Sequence, residues 1–216
     1  MKMKIENTKY GSYAFIIASI YFILSEFIAA LSTGLPLFEV YTQNTISALG
    51  VPGYISPIDW LMNSGFVVLG VLLIIGFHLG LSPLIKKWKI LEYALTFVTA
   101  IGLFVIAAIH AGNPIHQIGA LMAIVGGGVL LMTAAFALDT SKSYKTDPLF
   151  LSNGRSYKIA SFSLGLIAIL FLIVMIIFMG NPDLEIIEAV PERISVYALI
   201  LWSILTGFYL LKDNDY

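Results

Sequence analysis

The sequence predicts an all-α polytopic membrane protein: a bundle of six transmembrane helices with both termini in the cytoplasm. Three observations lead there. Hydrophobic residues make up 59% of the 216 and charged ones only 12%, about half the ~25% charged residues of a soluble domain. Six stretches reach the ~20 apolar residues needed to cross ~30 Å of hydrocarbon. Lysine and arginine fall almost entirely on one side of those stretches. The length suits a single domain, 1–216. With no cysteine, disulfides, thiolate metal sites and cysteine nucleophiles are excluded. A net charge of −1 lacks the basic face of a nucleic-acid partner.

The first span, 13–31, follows a charged start. "AALS" loosely resembles a cleavage site, but the apolar stretch exceeds the usual 7–15 residues of a signal-peptide core. It is read as a retained helix. The outer loop 32–59, "STGLPLFEVYTQNTISALGVPGYISPID", has no Lys or Arg. A structureless loop this long is uncommon unless functional or packed. Leu35, Leu37, Phe38, Val40, Tyr41, Ile46 and Leu49 suit a cap folded back over the bundle mouth, with Asn44, Thr45 and Ser47 bonding beneath it. For its first half, a loop lying on the lipid surface is an equal reading.

The second span, 60–81, is followed by the basic "SPLIKKWK", and the third, 91–109, by the turn "HAGNPIH". In that turn Asn113 reads as an N-cap and Pro114 as the first helical residue, where its missing N–H costs nothing. His116 then lies in the first turn of the fourth span, 115–138, where the helix dipole favours a neutral imidazole. Gly119, Ala123 and Gly127 form a small-residue stripe there, and Ser161, Gly165 and Ala168 form another on the fifth span, 159–179, both suited to close helix packing. The "GGG" at 126–128 lacks the Lys-Ser/Thr of a phosphate loop and is read as packing too. A polar loop, 139–158, precedes the fifth span; an acidic one, 180–193, precedes the sixth, 194–211. The two halves share no matching Gly/Pro breaks, so an inverted repeat is not supported.

Orientation follows from the basic residues in short loops. Of the twelve Lys and Arg, only Arg193 lies on the side opposite the termini, which makes the terminus-bearing side cytoplasmic. Tyr41, Tyr54 and Trp60 would mark the outer interface; Tyr10, Trp88, Tyr93, Tyr157 and Tyr209 would mark the inner one. The outer side carries Glu39, Asp59, Asp183, Glu185, Glu188 and Glu192.

One charge is placed inside a span. Glu26, in "YFILSEFIAALS", lies roughly 7–8 Å below the outer end of the first helix at 1.5 Å per residue. A charge at that depth should face the bundle and have a partner. Ser19, Ala29, Ala30 and Thr33 share its face. Arg193 is the partner for a structural tie; a ligand site is the competing reading. His110 and His116, on either side of the turn, with Glu26 as third ligand, would be the metal set if zinc were bound, although hydrogen-bonded interfacial histidines are the simpler reading. No other cofactor is expected. Asp59 is a further candidate ligand or base, while His78 lies too near the cytoplasmic end to join.

"YTQNTISALG" (41–50), "LMNSGFVVLG" (61–70), "NPIH" (113–116) and "PERI" (191–194) together resemble a family of six-helix bacterial and archaeal membrane proteins, a domain of unknown function. The resemblance implies roles for Asn44, Ser47, Leu49, Gly50, Asn63, Gly65, His116, Glu192 and Arg193. Many relatives carry an acid where this chain has Ala48. More remotely, the outer loop looks like that of eukaryotic six-helix autophagy-modulator and lipid-organising proteins, which points to lipids.

The expected function is therefore binding of a lipid or small amphiphile in an outward-facing polar pocket of a plasma-membrane protein. Glu26, Asn44, Ser47, Asp59, Asn63, His110, His116, Glu192 and Arg193 would line it. The alternative is a metal-dependent hydrolase at the outer leaflet, with metal-activated water. A proton-coupled transporter is weaker, because the span centres are almost wholly apolar. The bilayer is the one certain partner, and the sequence leaves the oligomeric state open.

Overall fold

The computed structural model describes residues 2–138, 154–181, 184, 187 and 189–212, with backbone alone at 2–6 and 212. Lys142, Lys145, Asp183, Glu185 and Glu188, and the side chains of Lys2, Lys4 and Lys212, lie outside the described residues. Seven α-helices are present among the described residues: α1 (Lys2–Ser32), α2 (Leu37–Gln43), α3 (Asp59–Gly76), α4 (Lys89–Ala108), α5 (Pro114–Ala137), α6 (Gly154–Met179) and α7 (Ala189–Lys212). All except α2 are long and apolar enough to cross a membrane.

Helix ends differ from the expected spans where hydropathy is silent. α1 starts at Lys2 rather than at 13, because polar residues outside the apolar window do not stop a helix. α7 starts at Ala189 rather than at 194. Pro191 is tolerated in a first helical turn, and Glu192 is favoured by the positive end of the dipole. That shift corrects the placement of Glu192 in an outer loop: it is a helical residue, and buried. The second span changes pitch at Phe77–Leu81, a π turn, before a 3-10 turn at Ser82–Leu84. There Gly11 of α1 meets Gly80 backbone to backbone; a Cβ on Gly11 would sit 2.3 Å from the Gly80 nitrogen.

The six long helices form a closed ring. Each packs on the next along the chain, and α7 packs on both α6 and α1. Lipid tails supply no hydrophobic drive for this association, so close approach and interhelical hydrogen bonds carry it. Gly102 of α4 lies against the Gly119 carbonyl and Ala123 nitrogen of α5, and Gly128 of α5 lies against the Gly165 carbonyl of α6. The 126–128 glycines are thus packing residues. Hydroxyls tie the same seams: Ser161 donates to the Leu131 carbonyl at 2.6 Å and accepts from the Trp202 indole at 2.8 Å. Ser195 donates to the Ala168 carbonyl at 3.0 Å, and Ser19 to that of Ile200 at 3.2 Å. Phe15 meets Trp202 edge to face across α1 and α7.

At one end of the ring the basic 82–88 segment meets the end of α5, where the Lys86 amide donates to the Ala137 carbonyl at 3.1 Å. At the other end, 33–58 folds over the bundle.

Gly102→Val is expected to lower the thermal midpoint in detergent, because its Cβ would sit 2.5 Å from the Ala123 nitrogen. Overpacking of this kind costs roughly 1–3 kcal/mol, or several degrees. An unchanged midpoint would contradict the close α4–α5 approach.

Candidate functional site

Arg193 lies one turn into α7 and is buried, as is Glu26 of α1. Its Nε donates to Glu26 Oε1 at 3.0 Å, and the Tyr197 hydroxyl, one turn further along α7, donates to Oε2. Both carboxylate oxygens are therefore engaged. Arg193 Nη1 donates to the Asn44 carbonyl at 2.6 Å and, more loosely, to that of Ala189 at 3.5 Å. The guanidinium carbon stands 4.7 Å from the centre of the Tyr41 ring, a cation–π distance. One planar fork thus ties α1, α7 and the cap, which a lysine point charge cannot reproduce. Burial and the nearby Glu26 push the Tyr41 phenol above its ordinary value, partly offset by Arg193.

The cap is fixed at two further points. Glu192 Oε2 accepts from the Ile46 amide at 2.6 Å, and Oε1 from the Ser47 hydroxyl at 3.5 Å. This puts a carboxylate at the start of the 3-10 turn Ser47–Gly50. At the end of that turn, Asn63 Nδ2 donates to the Gly50 carbonyl at 2.8 Å. A Cβ at residue 50 would fall 2.2 Å from Asn63 Oδ1, so any larger residue there would have to displace the Asn63 amide. Val40, Ile46 and Leu49 are fully buried beneath the cap, whereas Leu35, Leu37 and Phe38 stay exposed. Both expectations for this loop thus hold in part: the second half is a packed cap, and the first half presents apolar side chains outward. The helix α2 within it was not expected.

The turn "HAGNPIH" behaves as the sequence suggests. Asn113 Oδ1 accepts from the Ile115 amide at 2.9 Å, and Pro114 opens α5. His116, buried, donates from Nδ1 to the Ile109 carbonyl at 2.6 Å and staples the turn shut. Gly112 takes a left-handed φ of +92°, which a side chain would strain.

Below the cap lies a narrow cavity of about 40 Å³ inside the ring. Ser47, His116, Glu192 and Ser195 supply its polar lining; Phe66, Leu69, Leu103, Leu131 and Leu199 are among its apolar walls. On α5 its lining runs from His116 beneath the cap down to Leu131.

The expected site residues therefore divide. Glu26, Asn44, Ser47, Asn63, Glu192 and Arg193 come together in the tie and the cap, and His116 joins Ser47 and Glu192 at the cavity. Asp59 opens α3, where an acid suits the helix dipole, and neither Asp59 nor His110 lines the cavity. Among the described residues no three His, Asp or Glu gather as a metal set. Glu26 is committed to Arg193 and Tyr197, and His116 Nδ1 to Ile109, so the structure does not assemble His110, His116 and Glu26 as a zinc site.

Two residues escaped the sequence reading. Tyr197, the second partner of Glu26, looks like any other aromatic in an apolar span. Glu92 corrects the expectation that Glu26 is the one charge inside a span: it lies in the first turn of α4 with no exposure, and neither carboxyl oxygen has a hydrogen-bond partner among the described residues. The spacing Glu92, Thr96, Thr99 on one helix face was the available signal.

Taken together, the ring, the buried ion pair and the folded cap define a polytopic helical membrane protein with a covered internal cavity. The chain belongs to the family described as "Protein of unknown function (DUF998)", whose model matches residues 16–209. No curated protein and no solved structure matches it.

Glu26→Gln and Arg193→Met should each lower stability by roughly 3–5 kcal/mol, because each strands a buried charge. The double variant should lose much less than the sum, and additive thermal shifts would contradict the pairing. Glu92→Gln should leave the thermal midpoint unchanged or raise it, since neither carboxyl oxygen has a hydrogen-bond partner among the described residues; a fall of several degrees would show a partner for it.

Proposed function

We propose that the protein binds a lipid or small amphiphile through its capped end, in the plasma membrane, with that end outside the cell and both termini in the cytoplasm. The observation that carries the reading is the polarity of the cavity: apolar along its walls, with Ser47, His116, Glu192 and Ser195 as its polar lining toward the cap. A single-chain amphiphile has the same polarity profile. At about 40 Å³ the cavity is narrower than a chain, so occupancy requires the lining helices to part. α6 is the wall suited to give way, with only 17% of its apolar window buried within the protein. The sidedness rests on the basic residues, since Lys86, Lys87 and Lys89 lie at the end opposite the cap. No observation favours the hydrolase alternative.

The test is native mass spectrometry and elemental analysis on one detergent-purified sample. The expected result is a lipid-sized adduct retained at one per chain and lost in Ala120→Phe, a cavity-lining position where the larger ring would fill the space. A sample without adduct, or one carrying a stoichiometric zinc lost in His116→Ala, would overturn the proposal.

A further inference from the structure

The hydrogen-bond bookkeeping at the cavity narrows the chemistry of what it can hold; this inference rests on the binding function just proposed and specifies the headgroup. Four polar side chains line the cavity: Ser47, His116, Glu192 and Ser195. Three of them have their proton committed elsewhere, and the Glu192 carboxylate has none to give. Ser195 donates to the Ala168 carbonyl at 3.0 Å. His116 donates from Nδ1 to the Ile109 carbonyl at 2.6 Å, which leaves Nε2 of the neutral ring as an acceptor. The Ser47 hydroxyl is directed to Glu192 Oε1 at 3.5 Å or to Thr45 Oγ1 at 3.3 Å, and Glu192 also accepts the Ile46 amide. What remains toward the cavity is a set of lone pairs: one on the imidazole, one set on each serine oxygen, and those of a carboxylate whose Oε1 has only a long contact.

The nearby cation does not change this. Arg193 is spent on Glu26, the Asn44 carbonyl and the Tyr41 ring. Its Nη2 has no partner among the described residues, yet Arg193 is not one of the residues lining the cavity.

We infer that the ligand is a single-chain amphiphile whose head donates hydrogen bonds and bears no negative charge: a hydroxyl or a primary amine. A phosphate, sulfate or carboxylate head would bring lone pairs against lone pairs and a negative charge against Glu192. A quaternary ammonium head has no N–H to donate. A hydroxyl places its proton on His116 Nε2 or Glu192 Oε1, whereas an ether leaves both acceptors unmet, which is where the discrimination arises.

The test compares 1-dodecanol with its methyl ether, which has the same chain and no donor, by displacement of a fluorescent fatty alcohol from the full-length protein in neutral detergent. Dodecylamine and dodecyl sulfate complete the series. The alcohol should bind about tenfold or more tightly than the ether, the amine should bind, and the sulfate should not. His116→Leu should collapse the alcohol–ether difference while ether binding persists, a change that simple misfolding would not give. Equal binding of alcohol and ether leaves the binding function standing and overturns the donor assignment, as does preferential binding of the sulfate. Binding of neither, with no lipid retained on purification, overturns both.

Discussion

The arrangement depends on one constraint: a carboxylate placed inside an apolar helix must be met. Glu26 cannot reach water from a site with no exposure, and an isolated charge there would be expensive. Arg193 and Tyr197 meet it from α7, and that contact falls on the seam where the first and last spans close the ring. Such a pair is not a large source of net stability, because desolvation of both ions offsets much of their attraction. Its effect is on specificity. It fixes the register of α1 against α7 and leaves Arg193 Nη1 aimed at one backbone carbonyl of the cap.

The cap inherits its geometry from that seam. Arg193 holds Asn44, Glu192 holds Ile46, and Asn63 holds Gly50, so adjacent residues of α7 carry opposite charges to backbone groups of the cap that lie two residues apart. These bonds let a segment poor in regular structure stay packed over an apolar interior without orphaned peptide groups. Elsewhere the ring is held by glycine contacts and serine–carbonyl bonds, which need no charge. The polar contacts that hold the cap are thereby gathered at one end, above a cavity whose walls are mostly apolar.

Much of this was legible in the sequence, for physical reasons that also mark where legibility stops. The six spans were readable because burying backbone in lipid demands long apolar helices. Glu26 and Arg193 could be matched because each is a charge with nowhere else to go. Asn113-Pro114 announced a helix start through local chemistry alone. Glu192 was misplaced because hydropathy marks where the long apolar run begins, whereas α7 begins five residues earlier, at Ala189, and carries Pro191, Glu192 and Arg193 in its opening turns. The short helix α2 follows from tertiary contact of Val40 with the bundle, which no periodicity of seven residues displays. Glu92 sat at the edge of an apolar window, where an acid reads as interfacial; its burial comes from neighbours far away in the chain. Which histidine would line a cavity was also beyond the pattern, since His110 and His116 differ only in the side of the turn they occupy.

The claim that Arg193 docks the cap over the bundle has a direct test, made simple by the absence of cysteine. Ala48→Cys puts a single thiol on a buried cap residue, to be probed in detergent-purified protein with a charged maleimide, alone and combined with Arg193→Met. The account expects little labelling with Arg193 present and strong labelling without it, in protein that still migrates as a folded species. Equal labelling with and without Arg193, whether high or low, would contradict it: the cap would then be held by something other than this arginine, or not held at all.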